Sequence, residues 1–172
     1  MEKSYFEDET FDKIDFTQQR VAKGDYEGCT FTGCDFSTSD LSAITFIDCT
    51  FTSCNLSMAS IVKTGFQDIR FKDCKLLGLR FDEANPFLFT IKCEGCTLNF
   101  SSFYKLKLRQ SAFMNCSLQD VDFIEADLTT LVFNQCDLLR AKFDNSNLEK
   151  ADFRYLCLYS YILLMKETLL KY

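Results

Sequence analysis

Large apolar residues recur at every fifth position through most of this chain, and that period limits the fold more tightly than any other feature. From Tyr26 the series runs through Phe31, Phe36, Leu41, Phe46, Phe51, Leu56, Ile61, Phe66, Phe71 and Leu76 to Phe81. After a slip of two residues it resumes at Leu98 and alternates Leu and Phe without exception to Phe153. Twenty-four such matches have a chance expectation on the order of one in a hundred million when counted against a template. A strand repeats every two residues and a helix every 3.6, so neither alone explains the pattern.

The residues two places before the apolar centres are mostly small. They include Cys29, Cys34, Cys49, Cys54, Cys74, Cys96, Cys116 and Cys136, with Ser, Ala or Thr at most other repeats. The residue between is usually polar, as are the two that follow the centre. One small and one large side chain per five residues therefore point inward. A chain that turns through roughly a right angle every five residues closes a square coil of twenty. Successive coils then stack backbone to backbone at about 4.8 Å, each touching only its neighbours.

Columns at a spacing of twenty support this reading. Cys34, Cys54 and Cys74 form one, continued across the slip by Cys96, Cys116 and Cys136. Phe113, Phe133 and Phe153 stack on one side, and Leu108, Leu128 and Leu148 on another. The motif resembles the pentapeptide-repeat family, whose consensus is A(D/N)LXX. "EADLT" (125–129), "KADFR" (150–154), "SNLEK" (146–150) and "CNLSM" (54–58) carry the resemblance, which extends over about residues 24–155. It implies an all-β fold, a right-handed quadrilateral β-helix of about six to seven coils. The Cys at the small position and the Phe at the centre are similar to the Qnr-like branch. That likeness implies a non-enzymatic protein that binds DNA gyrase or topoisomerase IV by DNA-like shape and charge and protects it from quinolones. It also implies a homodimer formed through the last coils.

The flanking segments are expected to differ. Residues 1–23 keep apolar residues five apart but place bulky or charged ones at the small positions, which predicts a cap or imperfect first coil. The register break falls near 84–87. Two extra residues at Ala84 and Asn85 would put Pro86 at a small position and Leu88 at a centre. The segment 156–172 loses its polar positions and reads as a C-terminal cap or dimerisation segment. A one-base frame change in the gene also accounts for its composition, and would leave a relative with an altered, inactive tail.

Charge and chemistry narrow the function. The net charge is −6, which disfavours direct nucleic-acid binding, since that relies on Lys and Arg neutralising phosphates. The N-terminus has no apolar leader core, no apolar run reaches the length of a membrane span, and the ten cysteines read as free thiols in a reducing cytoplasm. The chain has no His, which removes Ser/His and Cys/His catalysis. Cys93 and Cys96 form one C-x-x-C without a second pair at zinc spacing. No cofactor, metal or catalytic residue is expected. Charge is banded: acidic over 24–62, basic over 63–109 and acidic over 110–149. The partner-contact candidates are the acidic residues Asp120, Asp122, Glu125, Asp127, Asp137 and Asp144, together with Asp82, Glu83, Asn85 and Phe87 at the break. An interaction scaffold with an unrelated partner is the alternative, favoured by the basic middle band and the absence of a long loop.

Overall fold

In a computed structural model the protein is described over residues 4–156. Eleven short strands follow one another with tight corners: β1 Ser4–Glu7, β2 Thr10–Asp12, β3 Gly24–Glu27, β4 Thr30–Thr32, β5 Thr45–Ile47, β6 Thr50–Thr52, β7 Gly65–Gln67, β8 Ile69–Lys72, β9 Ile91–Glu94, β10 Ala112–Met114 and β11 Phe133–Asn134. They form two parallel sheets, of order β1-β3-β5-β7 and β11-β10-β9-β8-β6-β4-β2. The first is half of one wall. The second runs the length of another. Isolated parallel bridges continue the first wall and build the two remaining ones, for example Asp35↔Asn55↔Lys75↔Thr97 and Arg80↔Ser102↔Asp122↔Lys142. The result is a right-handed quadrilateral β-helix of about seven and a half coils.

Partners lie twenty residues apart through the first four coils, as in Phe31↔Phe51. The first coil is no exception, because Phe6 pairs with Tyr26 and Phe11 with Phe31. Each five-residue edge can be labelled small, flank, centre, flank, corner. Centres fill the tube. Phe31, Phe51, Phe103, Phe123 and Phe133 are fully buried, and their rings stack from coil to coil. Phe31 and Phe51 lie 4.6 Å apart at 7°, and Phe103 and Phe123 5.2 Å apart at 7°. Rings on adjacent walls meet edge to face, as Phe46 and Phe51 do at 5.4 Å. Both geometries suit the aromatic quadrupole.

The corner residue makes the turn. It takes a left-handed backbone in nearly every edge, from Asp8 (φ 55) and Thr38 (φ 57) to Lys150 (φ 57). After many centres the small residue's N–H donates to the centre carbonyl three residues back, as in Ser39 to Phe36 and Ala126 to Phe123. With a left-handed third residue this is a type II turn. The eight cysteines at small positions all follow edges that lack this closing bond and are strands or bridges instead. There each thiol donates to the centre carbonyl of the coil beneath, 23 residues earlier or 25 across the break, as in Cys54 to Phe31 at 3.4 Å, Cys74 to Phe51 at 3.3 Å and Cys96 to Phe71 at 3.4 Å. Ser and Thr do the same at other corners, Thr64 to Leu41 at 2.8 Å and Ser101 to Leu76 at 2.8 Å. A small donor at these corners thus satisfies a carbonyl of the coil beneath, and Cys is its bulkier, more apolar form. Burial pushes the Cys49 thiol up to about 12, which leaves it neutral.

The break sits later than the sequence suggests. Asn85 still pairs with Gly65, twenty residues back, whereas Ile91 pairs with Ile69, twenty-two back. The two extra residues therefore lie after Asn85, not at Ala84, which remains a buried small residue. Neither Pro86 nor Leu88 points inward: Pro86 is exposed, Leu88 is exposed with φ 54, and Phe89 takes the inward place instead. The cause is Pro86. Without an N–H it can make neither the centre-to-coil bond seen for Phe36 to Asn55 nor the turn-closing bond of a small residue. Residues 157–172, and with them most of the expected C-terminal cap, lie outside the described residues.

Candidate protein-binding surface

The flanks and corners are the solvent-facing surface, since most centres and small residues are buried in the tube. The first flank is often Asp or Asn, and its carboxylate or amide accepts from the N–H two residues on. Asp122 caps Ile124 at 2.8 Å, Asp137 caps Leu139 at 3.0 Å, and Asn85 caps Phe87 at 3.0 Å. Asp127 caps Thr129 at 3.1 Å and also holds Arg109 at 2.7 Å. The Thr129 hydroxyl and backbone, then Arg109, keep its carboxyl below the usual range.

The remaining expected contact residues are similarly engaged. Arg140 forms a two-pronged pair with Asp120, both bonds at 2.7 Å, and lowers its carboxyl. Arg80 does the same for Asp82 at 3.0 and 2.7 Å. Burial pushes Asp82 up, but Arg80 and Ser102 together bring it down. Glu125 receives Lys105 at 3.4 Å and the Tyr104 hydroxyl at 3.2 Å. Glu83 ends the short 3-10 turn Phe81–Glu83, and Asp144 too has a partner. These residues do not form one face. Asp122, Asp127 and Asp137 stand on three separate bridge ladders. Phe87, by contrast, is the tip of the bulge and is 65% exposed.

Counting charge by coil rather than by band locates the net charge elsewhere. Residues 4–62, the first three coils, hold ten Asp or Glu and three Lys or Arg. Residues 63–156 hold thirteen of each. The whole excess of seven negative charges lies at the N-terminal end, most of it on the outer face and corner of the β1-β3-β5-β7 sheet: Glu7, Asp8, Asp25, Glu27 and Asp48. Tyr5 donates to Glu27 at 2.7 Å, and that bond, with burial and nearby carboxylates, raises the phenol to about 12. Asp48 is bound by Arg70 at 2.8 Å. Glu7 and Asp8 have no cation in ion-pair range among the described residues. Sorting charges by position within the twenty-residue coil would have found this face; bands along the chain dilute it.

Among the described residues no group of three or more Cys, Asp or Glu is placed to hold a metal ion, and no helix is long and apolar enough to cross a membrane. A family model described as a pentapeptide repeat region matches residues 25–86 and 87–159. The chain belongs to the pentapeptide-repeat family. No curated protein matches it at a significant level. Among solved structures, it is similar to trypsin-treated QnrB1, a plasmid-mediated fluoroquinolone resistance protein, at 22% identity and a TM-score of 0.41, covering 96% of this chain and 89% of that one. Full-length QnrB1 gives 20% identity and a TM-score of 0.38, over 96% and 99% of the two chains. HetL, a pentapeptide-repeat protein involved in heterocyst differentiation regulation from the cyanobacterium Nostoc sp. strain PCC 7120, gives 12% identity and a TM-score of 0.28 over 88% of each.

Proposed function

We propose that this pentapeptide-repeat protein is a non-enzymatic, Qnr-like binder of a type II topoisomerase, DNA gyrase or topoisomerase IV, and antagonises quinolones by occupying surface that otherwise holds DNA. The observation that supports it is the charge of the first three coils. Duplex DNA carries one charge per about 1.7 Å of axis, hence about eight over the roughly 14 Å that three coils span. The protein presents an excess of seven there and none over the rest of the described rod. DNA-like charge density is thus confined to one end, and that end is what a basic saddle attracts. The acidic residues at 120–144, tied to arginines or capping turns, are secondary.

The test is gyrase supercoiling with ciprofloxacin. Added protein restores supercoiling, and a Glu7→Lys, Asp8→Lys, Glu27→Lys triple variant does not, while Asp120→Asn protects as well as the parent. Absence of both rescue and gyrase binding refutes the proposal. The second reading, a scaffold for a different protein, is favoured by the nine Lys and Arg over residues 63–109, which depart from simple DNA mimicry.

A further inference from the structure

The wall that carries β1, β3, β5 and β7 opens at one level. Between the fifth coil (84–105) and the sixth (106–125) the other three walls are paired, by β9 with β10, Thr97 with Ser117 and Ser102 with Asp122. On this wall no bridge joins residues 84–90 to 106–110 among the described residues. Elsewhere on it the first-flank N–H donates to the small residue's carbonyl beneath, Gly65 to Ile44 at 2.9 Å, Asn85 to Thr64 at 2.9 Å and Asp127 to Leu106 at 2.8 Å. The Lys107 N–H has no such acceptor among the described residues. The two extra residues are the cause. After Asn85 the chain swings outward and then falls back on the fourth coil, with Phe89 bridged to Gln67 and the Thr90 N–H on the Phe66 carbonyl at 2.9 Å.

Two kinds of recognition element border this seam. On one side stand Lys63 and Lys107, both exposed and neither with a carboxylate in ion-pair range among the described residues. They lie two coils apart, about 10 Å, with Gly65, which has no side chain, and the turn-capping Asn85 between them. On the other side Phe87 and Leu88 are 65% and 61% exposed. Their turn is held by the Asn85 cap on Phe87 and by a bond from the Phe89 N–H to the Pro86 carbonyl, so this apolar pair is pre-organised. Leu88 borders a hollow of about 630 Å³ lined also by Ile47, Gln67, Thr90 and Gln110. The charges at its rim are matched already, Asp48 with Arg70 at 2.8 Å and Asp68 with Lys92 at 3.3 Å, which leaves the hollow itself neutral.

We infer that the seam docks an extended acidic segment of another protein, one that carries an apolar side chain close to its acids. A carboxylate set between Lys63 and Lys107 receives both ammonium groups and the Lys107 N–H. Three residues further along the strand direction, about 10 Å, an apolar side chain enters the hollow beside Leu88. Backbone bonds at an open sheet edge supply affinity in such contacts, and a pocket for a side chain supplies specificity. A nucleic acid suits the seam less well. The neutral hollow offers a phosphate nothing, and Glu7 and Glu27 further down the same wall repel a long polyanion. The footprint is far smaller than that of a stable complex, so the contact is weak and depends on salt. The inference goes beyond the topoisomerase reading and leaves the acidic sheet of the first three coils uncovered.

Titration of the isotope-labelled full chain with the peptide acetyl-Glu-Asp-Ser-Gly-Leu-Phe-amide, followed by amide NMR, tests it. At low salt the signals of Gln67, Leu88, Thr90, Lys107 and Gln110 move together with one millimolar dissociation constant, while those of Glu7 and Glu27 stay in place. Lys107→Glu weakens binding about fivefold or more, and Lys107→Arg keeps it. Leu88→Ser weakens it by a similar factor and leaves the signals of remote coils unchanged, so the rod is intact. Lys75→Glu, on a different wall, has no effect. Peptides with Lys for both acids, or Ser for both apolar residues, bind about fivefold more weakly or worse. No saturable shift, shifts spread equally over Lys72, Lys75 and Lys142, or equal binding of the three peptides overturns the inference. So does the same set of shifts with single-stranded oligothymidylate, which would make the seam a phosphate site. Gyrase takes no part in the titration, so this proposal and the topoisomerase reading can each fail alone.

Discussion

Replacing Phe51 by alanine removes a ring that touches four others. It stacks on Phe31 at 4.6 Å and Phe71 at 5.1 Å and meets the edges of Phe36 at 6.0 Å and Phe46 at 5.4 Å. The side chain is fully buried, and each coil is locked to the next by its backbone bonds, so the cavity cannot collapse. A Phe→Ala change at such a site costs about 3–5 kcal/mol, and the loss of stacked partners places it in the upper half of that range. Phe6 is the control. It is a centre on the same template, but among the described residues it stacks on Tyr26 alone, at 4.4 Å, in an end coil, meets no other ring edge, and is only partly buried. Phe6→Ala costs roughly half of the 1.5–3 kcal/mol of a full burial. With a urea m-value of about 2 kcal/mol/M, Phe51→Ala lowers the denaturation midpoint by about 2 M and Phe6→Ala by about 0.5 M. Equal shifts for the two, or a Phe51→Ala loss below about 1 kcal/mol, would refute the stacked-coil reasoning.

Other perturbations address the corners, the thiols and the acids. Thr38 holds a left-handed φ of 57 that costs an L-residue about 1–2 kcal/mol; Thr38→Gly raises the urea midpoint, by up to about 1 kcal/mol in stability after the entropy of the unfolded glycine. Gly24→Ala does the reverse, because its Cβ would fall 2.3 Å from the Ser4 carbonyl oxygen, and it loosens the first coil in hydrogen exchange. Cys74→Ser, which keeps a donor to the Phe51 carbonyl, is milder than Cys74→Val, which leaves that carbonyl unsatisfied at about 1–3 kcal/mol. Asp40 is brought down to about 2 by Ser42 and then Lys23, and Asp152 to about 2 by Arg154. A carboxyl depressed in the folded state stabilises above its unfolded pKa and ceases to as it protonates. The denaturation midpoint is therefore level above pH 4 and falls between pH 4 and pH 2; a midpoint that rises on acidification contradicts these assignments.

The tube was legible because its packing rule is written locally. One small and one large inward residue per five, repeated over most of the chain, fixes the stacking of Cys54 on Cys74 and of Phe31 on Phe51 before any coordinates. The break was misplaced because Ala84 and Leu88 both suit the template by residue type. What separated them was the missing N–H of Pro86, a backbone property that an apolar count does not register. The candidate site was less legible. Acidic residues could be listed, but whether each faces a partner or its own chain depends on contacts across coils. Asp120 and Arg140, twenty apart, could have been paired from the period alone. Asp127 and Arg109, eighteen apart on a diagonal of one wall, could not. Nor does composition distinguish an Asp that caps a turn, such as Asp122, from one within a strand, such as Asp25.

The most direct measurement is distance along the rod. Nitroxide labels attached through an unnatural residue at Lys13, Gln135 and Tyr155, all at one corner column, give two spans by electron–electron resonance. Stacked coils predict about 29 Å from 13 to 135 and about 34 Å from 13 to 155, a rise of about 4.8 Å for the last twenty residues. Spans that do not differ by one coil spacing, or that fall well short of these lengths, would contradict a tube wound twenty residues to the turn.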